Sequence, residues 1–168
     1  PAAELLGLVR HYLQIRTIRF LRFHTRALTS SPGLLTKQFL TGFSKLKTEF
    51  PGKQLAFVLH INTAAELSGQ FRENVAALKS LEIPLYSQSV LLNGINADAA
   101  VLAELCQALV QSGVQPYYLH AMDRVTGSAH FEVPEIDARR IYHELKTLIP
   151  PYMTPRYVRD SKQGKYNA

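Results

Sequence analysis

Polar side chains of the types that do chemistry follow the apolar runs of this chain at four places. The most informative run begins at Pro116 and ends in His120, and Asp123 follows in a predicted loop. Imidazoles and carboxylates act as general acids and bases, bind metals and bind cations. The corresponding residues after the other runs are His24–Arg26, His60–Asn62 and Asn93–Asn96. A single polar residue after a strand is usually a turn residue, but four such ends with three histidines predict a site.

The spacing of apolar residues predicts the elements that position these side chains. Largely apolar runs predict strands over 18–23, 55–61, 84–92 and 114–120, with a possible short fifth at 157–158. Helical spacing predicts helices over 2–15, 35–46, 67–78, 101–109 and 136–148, with Gly113 ending the fourth. The three strands from 55 onward recur about every 30 residues, which is the length of a βα unit. Such units have parallel strands joined by right-handed crossovers.

The predicted fold class is therefore α/β, with parallel βα units forming the C-terminal part of a TIM-like barrel. Eight strands close such a barrel, and its active site lies at the carboxyl ends of the strands. The four or five strands predicted here lead us to expect a further barrel half upstream of residue 1. Residues 1–150 are expected to form the βα repeat and residues 151–168 a C-terminal tail.

Composition excludes several other classes of protein. The 168 residues are 46% hydrophobic and 19% charged, as in an ordinary globular domain. The formal charge of +6 is scattered and comes with no nucleic-acid-binding motif, so nucleic acid is not a predicted partner. No apolar run approaches the roughly 20 residues of a membrane span. The single cysteine, Cys106, allows no internal disulfide and lies in a helical pattern typical of a core residue.

The polar strand ends alone leave several functions open. A metal-dependent hydrolase of barrel fold would use His24, His60 and His120 as ligands, because neutral imidazoles bind divalent metals. The sequence contains no His-x-His pair, which counts against this function. A barrel fragment that only binds a partner is a further alternative.

Several segments, taken in order, resemble the lysine 2,3-aminomutase family. The matching segments are 18–26 (IRFLRFHTR), His60–Asn62, 88–96 (QSVLLNGIN), Pro116-Tyr-Tyr with Asp123, Gly127 with His130-Phe131, and 155–160 (PRYVRD). The resemblance extends from about residue 4 to residue 160 and corresponds to the second half of a radical S-adenosylmethionine (SAM) barrel. The Cys-x3-Cys-x2-Cys motif of the family is absent and would belong to the upstream half.

The resemblance implies a cytoplasmic isomerase that moves the α-amino group of L-lysine to the β carbon. It implies three cofactors: pyridoxal phosphate, SAM, and a 4Fe-4S cluster whose ligands are not in this chain. The isolated chain is therefore expected to be inactive. Homo-oligomerisation remains possible, as does membership of either family branch, one acting on free lysine and the other making β-lysine for elongation factor P.

The resemblance also implies roles for individual residues. Asp123 and Asp160 correspond to the carboxylates that bind the distal ammonium of the substrate, and two carboxylates around one cation keep it charged. Gln88 and His60 match positions that face SAM. Lys165 matches the catalytic lysine that holds pyridoxal phosphate, a role that needs a nucleophilic amine. In this short tail, Lys162 is the alternative.

Two positions depart from the family pattern. Thr63 stands where the family often has a histidine, and Ala97 stands where an aspartate is common, with Asp98 following.

Overall fold

The computed structural model describes the backbone of residues 2–161 and 164–167 and the side chains of residues 2–159. The chain divides into two compact units. The first unit comprises residues 1–59 and 68–85, and the second comprises residues 60–67 and 86–168. Within the described residues, no helix is both long enough and apolar enough to cross a bilayer.

All the predicted helices and strands are present, with ends displaced by a few residues. Helices α1 to α6 span Ala2–Gln14, Ala27–Ser30, Lys37–Glu49, Gly69–Ser80, Ala99–Ser112 and Glu135–Leu148. Strands β1 to β6 span Phe20–Thr25, Gln54–His60, Leu85–Val90, Gln115–His120, Arg156–Ser161 and Gly164–Asn167. Single 3₁₀ turns occur at Pro32–Leu34, Ala64–Glu66, Ala129–Phe131 and Pro151–Met153. The short helix α2 and the strand β6 are additions that the apolar pattern does not predict.

In the first unit, β1 and β2 are parallel, and Phe20 pairs with Gln54. Strand β1 begins two residues later than predicted, because a lysine side chain holds the chain before it in a turn. The ammonium of Lys53 donates to the carbonyl oxygens of Ile15, at 2.9 Å, and of Ile18. The core contains an aromatic cluster whose ring centroids are 4.9 Å apart for Phe23–Phe57, 5.3 Å for Phe23–Phe43 and 4.6 Å for Phe39–Phe43.

In the second unit, β3, β4 and β5 lie in this order as parallel neighbours, and β6 is antiparallel to β5. Helices α5 and α6 pack against one face of these strands. Leu119 and Tyr157 point into the apolar core between the helices and the strands. The predicted α/β class with parallel βα units is thus confirmed.

A β-bulge interrupts the pairing of β3 with β4. Ser87 pairs with Pro116, but the next residue, Gln88, pairs with Tyr118, so Tyr117 is the extra residue. A bulge of this kind shifts the alternation of side chains along one strand relative to its neighbour. The bulge therefore decides which β4 side chains accompany Gln88.

Candidate active site

The second unit brings two of the predicted cofactor-binding residues into contact. Gln88 lies in β3 and His60 is the last residue of β2, and their Nε2 atoms are 2.9 Å apart. Both side chains are half-buried. An amide Nε2 donates, so the ring nitrogen of His60 is the acceptor in this hydrogen bond. The pair combines an amide and an imidazole on one polar surface of the unit.

Backbone hydrogen bonds fix the two segments that carry this pair. The amide of Ile61 donates to the carbonyl oxygen of Gln88 at 3.0 Å. The hydroxyl of Ser89, only 6% exposed, donates back to the carbonyl oxygen of Ile61. The amide of Val90 donates to Oδ1 of Asn62 at 3.0 Å. Residues 60–62 and 88–90 are therefore held in one register.

Asn96 closes this network from the loop that follows β3. Its side chain is 1% exposed. Its Nδ2 donates to the carbonyl oxygens of Asn62 (3.0 Å) and Val90 (2.9 Å). Its Oδ1 accepts from the amide of Leu92 at 2.7 Å. The sequence predicts that Asn62 and Asn96 follow strands but indicates no role for either, because their contacts are made between segments distant in the chain.

The two departures from the family pattern lie at helix starts. The amide of Thr63 donates to Oε1 of Glu66 at 3.1 Å, and the two residues form a capping box around a 3₁₀ turn. Asp98 is the N-cap of α5, and its Oδ1 accepts from the amides of Ala100 (2.8 Å) and Val101 (3.1 Å). The local helix starts account for Thr63 and Asp98, and Ala97 packs against the apolar core of the second unit.

His120 and Tyr118 extend the polar surface along β4. His120 is the last residue of the strand and is 7% exposed. The two ring centroids are 5.6 Å apart in an edge-to-face arrangement, which is a favourable geometry for ring pairs. Tyr118 pairs in register with Gln88. Tyr118 is a candidate site residue that the sequence did not indicate, because its position beside Gln88 depends on the bulge.

Asp123 lies beyond β4 in a loop, and the side chains from Asp123 to Gly127 are exposed. The neighbouring Arg124 forms an ion pair with Glu132 at 2.7 Å across this loop. The structure thus separates Asp123 from the buried surroundings of His120 and leaves its carboxylate open to solvent.

The remaining predicted residues lie in the last two strands, where the structure describes the backbone alone. Asp160 in β5 pairs in register with Lys165 in β6, and Ser161 pairs with Gly164. Lys162 lies outside the described residues. The two residues predicted to bind substrate and pyridoxal phosphate are therefore direct partners in one antiparallel ladder.

An ion-paired groove of about 890 Å³ lies beside the loop after β4 and includes Arg124, Glu135, Arg139 and Arg159 in its lining. Partial burial favours a higher pKa for Glu135, but hydrogen bonds to Arg139 and Arg159 and their charges outweigh it, so that the pKa lies below its usual value. The distance from Glu135 to Arg139 is 2.7 Å. The cations of this groove are thus engaged with carboxylates of the same unit.

Two observations bear on metals and clusters. Among the described residues, no three histidine, cysteine or carboxylate side chains are grouped so that they could hold a metal ion. The hydrolase alternative, with His24, His60 and His120 as ligands, therefore has no ligand set in that part of the chain. Cys106 is 3% exposed, and burial raises the pKa of its thiol to about 12. A thiol kept protonated in this way does not fit the role of a cluster ligand.

Comparison with known proteins shows close relatives over most of the chain. Over 157 residues, the chain is 38% identical to L-lysine 2,3-aminomutase of Escherichia coli and 36% identical to the protein of the same name in Haemophilus influenzae. Each match covers 94% of this chain but only 44% and 45%, respectively, of the relative. The chain thus spans somewhat less than half the length of the curated relatives that it matches. No family model matches the sequence.

A solved structure shares the fold. A domain of pyruvate-formate lyase-activating enzyme from Bacteroides vulgatus superposes with a TM-score of 0.56 and 12% sequence identity. The superposition covers 88% of this chain and 86% of that domain. At this identity the likeness concerns the fold alone, and it agrees with the predicted α/β architecture.

Proposed function

We propose that this chain, which belongs to the lysine 2,3-aminomutase family, provides SAM-binding and substrate-binding strands of a radical aminomutase that converts L-lysine to β-lysine. The observation that carries the proposal is the contact between Gln88 and His60 at 2.9 Å. The family resemblance gives both residues to SAM, and they come from segments 28 residues apart in the sequence. Identity of 36–38% over 94% of the chain supports the family membership from which this assignment is taken.

The chemistry of this pair fits SAM. The cofactor carries hydroxyl, amino, carboxylate and ring nitrogen groups, and an amide beside an imidazole offers both donors and acceptors to them. Both side chains are half-buried, so part of each remains accessible to a ligand. Together with a 4Fe-4S cluster, SAM supplies the radical chemistry of the reaction. Gln88 and His60 would bind and orient it.

Lys165 is the residue proposed to hold pyridoxal phosphate, which supplies a carrier for the migrating nitrogen. Its backbone is fixed in β6 by pairing with β5, opposite Asp160. A strand fixes the position of a reactive amine better than an unpaired tail does. Lys162 is the alternative to Lys165, because its side chain carries the same amine.

Asp123 and Asp160 are proposed to bind the distal ammonium of lysine. Asp123 is exposed, so that a substrate can reach its carboxylate without a rearrangement of the core. Hydrogen bonds between a carboxylate and an ammonium are charge-assisted and stronger than neutral ones. The same two charges would repel glutamate, whose side chain ends in a carboxylate.

The complete protein, with its natural upstream sequence, provides the test. After anaerobic purification it should contain iron, sulfide and pyridoxal phosphate and should convert L-lysine, but not L-glutamate, to the β-amino acid, as measured by mass spectrometry. Zinc as the only metal, without SAM binding, would support the hydrolase. Absence of metal, cofactor and turnover would support a binding function.

A further inference from the structure

We infer that Asn96 is a positioning residue for the Gln88–His60 pair, and that SAM binding depends on it. The inference rests on the function proposed above for that pair. It is based on the side-chain amide of Asn96, which donates hydrogen bonds to the segment that follows His60 and to the segment that follows Gln88.

Asn96 makes equivalent hydrogen bonds to the two segments that carry the pair. Asn62 lies two residues after His60, and Val90 lies two residues after Gln88. The Nδ2 group of Asn96 donates to the carbonyl oxygens of both, at 3.0 Å and 2.9 Å. The Asn62 side chain accepts from the amide of Val90 at 3.0 Å and closes a ring of three residues. The Oδ1 atom of Asn96 accepts from the amide of Leu92, which continues the segment of Val90.

Loss of the Asn96 side chain should change the position of Gln88 relative to His60. Asn96 is 1% exposed, so water has little access to the two carbonyl groups that it satisfies. Buried backbone groups left without partners are unfavourable, and the segments would relax to regain hydrogen bonds elsewhere. Hydrogen bonds weaken steeply as distance and angle change. A displacement of about 1 Å between residues 60–62 and 88–90 would therefore break the Gln88–His60 contact and misplace the ligand.

A purely local role in starting α5 does not account for Asn96. The N-cap of that helix is Asp98, which satisfies the amides of Ala100 and Val101 by itself. The other asparagine of the loop, Asn93, is exposed and donates one side-chain hydrogen bond, to the carbonyl oxygen of His130 at 3.2 Å. The buried position and the three hydrogen bonds thus distinguish Asn96 from a turn residue.

The test uses the complete, reconstituted enzyme with the variant Asn96→Ala and a matched control, Asn74→Ala. Asn74 is also a buried asparagine, 5% exposed, and its Nδ2 donates to the carbonyl oxygen of Pro32 at 2.8 Å in the first unit. Both variants lose a buried amide hydrogen bond and should lower the melting temperature. Only Asn96→Ala should raise the Kd for SAM, by about tenfold, with pyridoxal phosphate content unchanged.

Amide hydrogen exchange gives a readout that does not depend on activity. In Asn96→Ala, the amide of Leu92 should lose protection, because its acceptor is gone. If Asn96→Ala does not fold, Asn62→Ala is the second variant, since it removes only the acceptor for Val90 and should raise the Kd for SAM by about threefold.

Two results would overturn the inference. One is a Leu92 amide that loses protection while the Kd for SAM stays within twofold of wild type. The other is an equal increase of the Kd in Asn74→Ala, which would indicate general destabilisation. Failure of the wild-type enzyme to bind SAM would reject the proposed function and the inference with it, whereas the first two results leave the proposed function intact.

Discussion

The two parts of the candidate site in the second unit are built in opposite ways. Around the Gln88–His60 pair, side chains of Asn62, Ser89 and Asn96 satisfy backbone groups and are themselves half-buried or buried. After β4, the side chains from Asp123 to Gly127 are exposed. The contrast lies in how far the side chains of each region are buried and hydrogen-bonded to the backbone.

This difference is compatible with the aminomutase function proposed above. A cofactor that must be held in one orientation gains affinity from a region already in its bound geometry, because little ordering remains to be done on binding. A substrate that enters and leaves in each turnover needs an open approach. We therefore expect substitutions around Gln88 to affect cofactor binding and substitutions around Asp123 to affect substrate use.

The largest effect is expected from substitution of Lys165 in β6, the residue proposed to hold pyridoxal phosphate. Lys165→Ala in the complete enzyme should abolish covalent attachment of the cofactor, because the ε-amine of Lys165 is the group proposed to bind it. Borohydride reduction followed by peptide mapping measures this directly. Lys162→Ala is the control and should label normally at Lys165. Labelling at Lys162 in the wild type would exchange the two roles, and labelling elsewhere would refute both.

The second prediction concerns Cys106, which lies in the core behind β3 and β4. The isolated 168-residue chain should assemble no 4Fe-4S cluster, because its single thiol is buried with a pKa of about 12. At pH 8 about one such thiol in 10⁴ is ionised, against roughly one in four for an ordinary cysteine. The side chain is also only 3% exposed, so alkylation should be at least about a hundredfold slower in the folded chain than in urea.

Iron and sulfide analysis after anaerobic reconstitution checks the cluster, and mass spectrometry follows the alkylation. A stoichiometric cluster in the isolated chain, or equal labelling rates with and without urea, would contradict the prediction.

The third prediction tests the open side of the site. Asp123→Asn in the complete enzyme should lower kcat/KM for lysine by about a hundredfold, which corresponds to ~2.7 kcal/mol of transition-state stabilisation. A charge-assisted hydrogen bond contributes about 1.5–3 kcal/mol, and the loss of one carboxylate leaves the ammonium poorly paired. Because Asp123 is exposed, the melting temperature and the Kd for SAM should not change.

Asp137→Asn is the matched control, since Asp137 is an exposed carboxylate of α6 that pairs with Arg140 at 3.5 Å. This variant should turn over lysine normally. Normal turnover by Asp123→Asn as well would make Asp123 a turn residue and remove the main physical support for lysine as substrate.

The smallest expected effect concerns the link between the two regions. Asn93 donates from its side chain to the carbonyl oxygen of His130 at 3.2 Å, and its amide donates to that of Phe131 at 2.9 Å. Asn93→Ala removes only the first, exposed hydrogen bond, worth about 0.5–1 kcal/mol. Exchange of the residue-93 amide should become about two to five times faster, with the Kd for SAM unchanged. A tenfold change in that Kd would mean that the two regions are coupled.

The fold could be predicted from the sequence where elements are long and apolar. The strands near 55, 85 and 115 and the end of α5 at Gly113, whose φ is 85°, follow directly from local patterns. Strand β5 extends beyond the apolar pair Tyr157-Val158 because residues 159–161 pair with β6. Strand β6 depends entirely on pairing with β5. Pairing between segments leaves little trace in a single sequence.

In the candidate site, too, residue types could be predicted from the sequence, whereas contacts between segments could not. Gln88, His60 and Asp123 were identified from residue type and family resemblance, and their assigned roles remain predictions. The structure added what resemblance does not carry, namely that Gln88 contacts His60 and that Asn96 connects the loops beyond them. A sequence indicates which polar residues follow strands, but not which of them share a hydrogen bond.

The extra residue Tyr117 has a consequence for how β4 can vary. Because side chains alternate along a strand, the bulge decides that Leu119 is buried under α5 and α6 while Tyr118 lies level with Gln88. Without Tyr117, Tyr118 would follow Pro116 directly and would still lie level with Gln88, so deletion of this residue should preserve both sets of side chains. An insertion after Tyr118 would instead exchange the two sets, because every later side chain would move to the opposite face. In this strand, the position of an added or removed residue decides whether the site and the core keep their side chains.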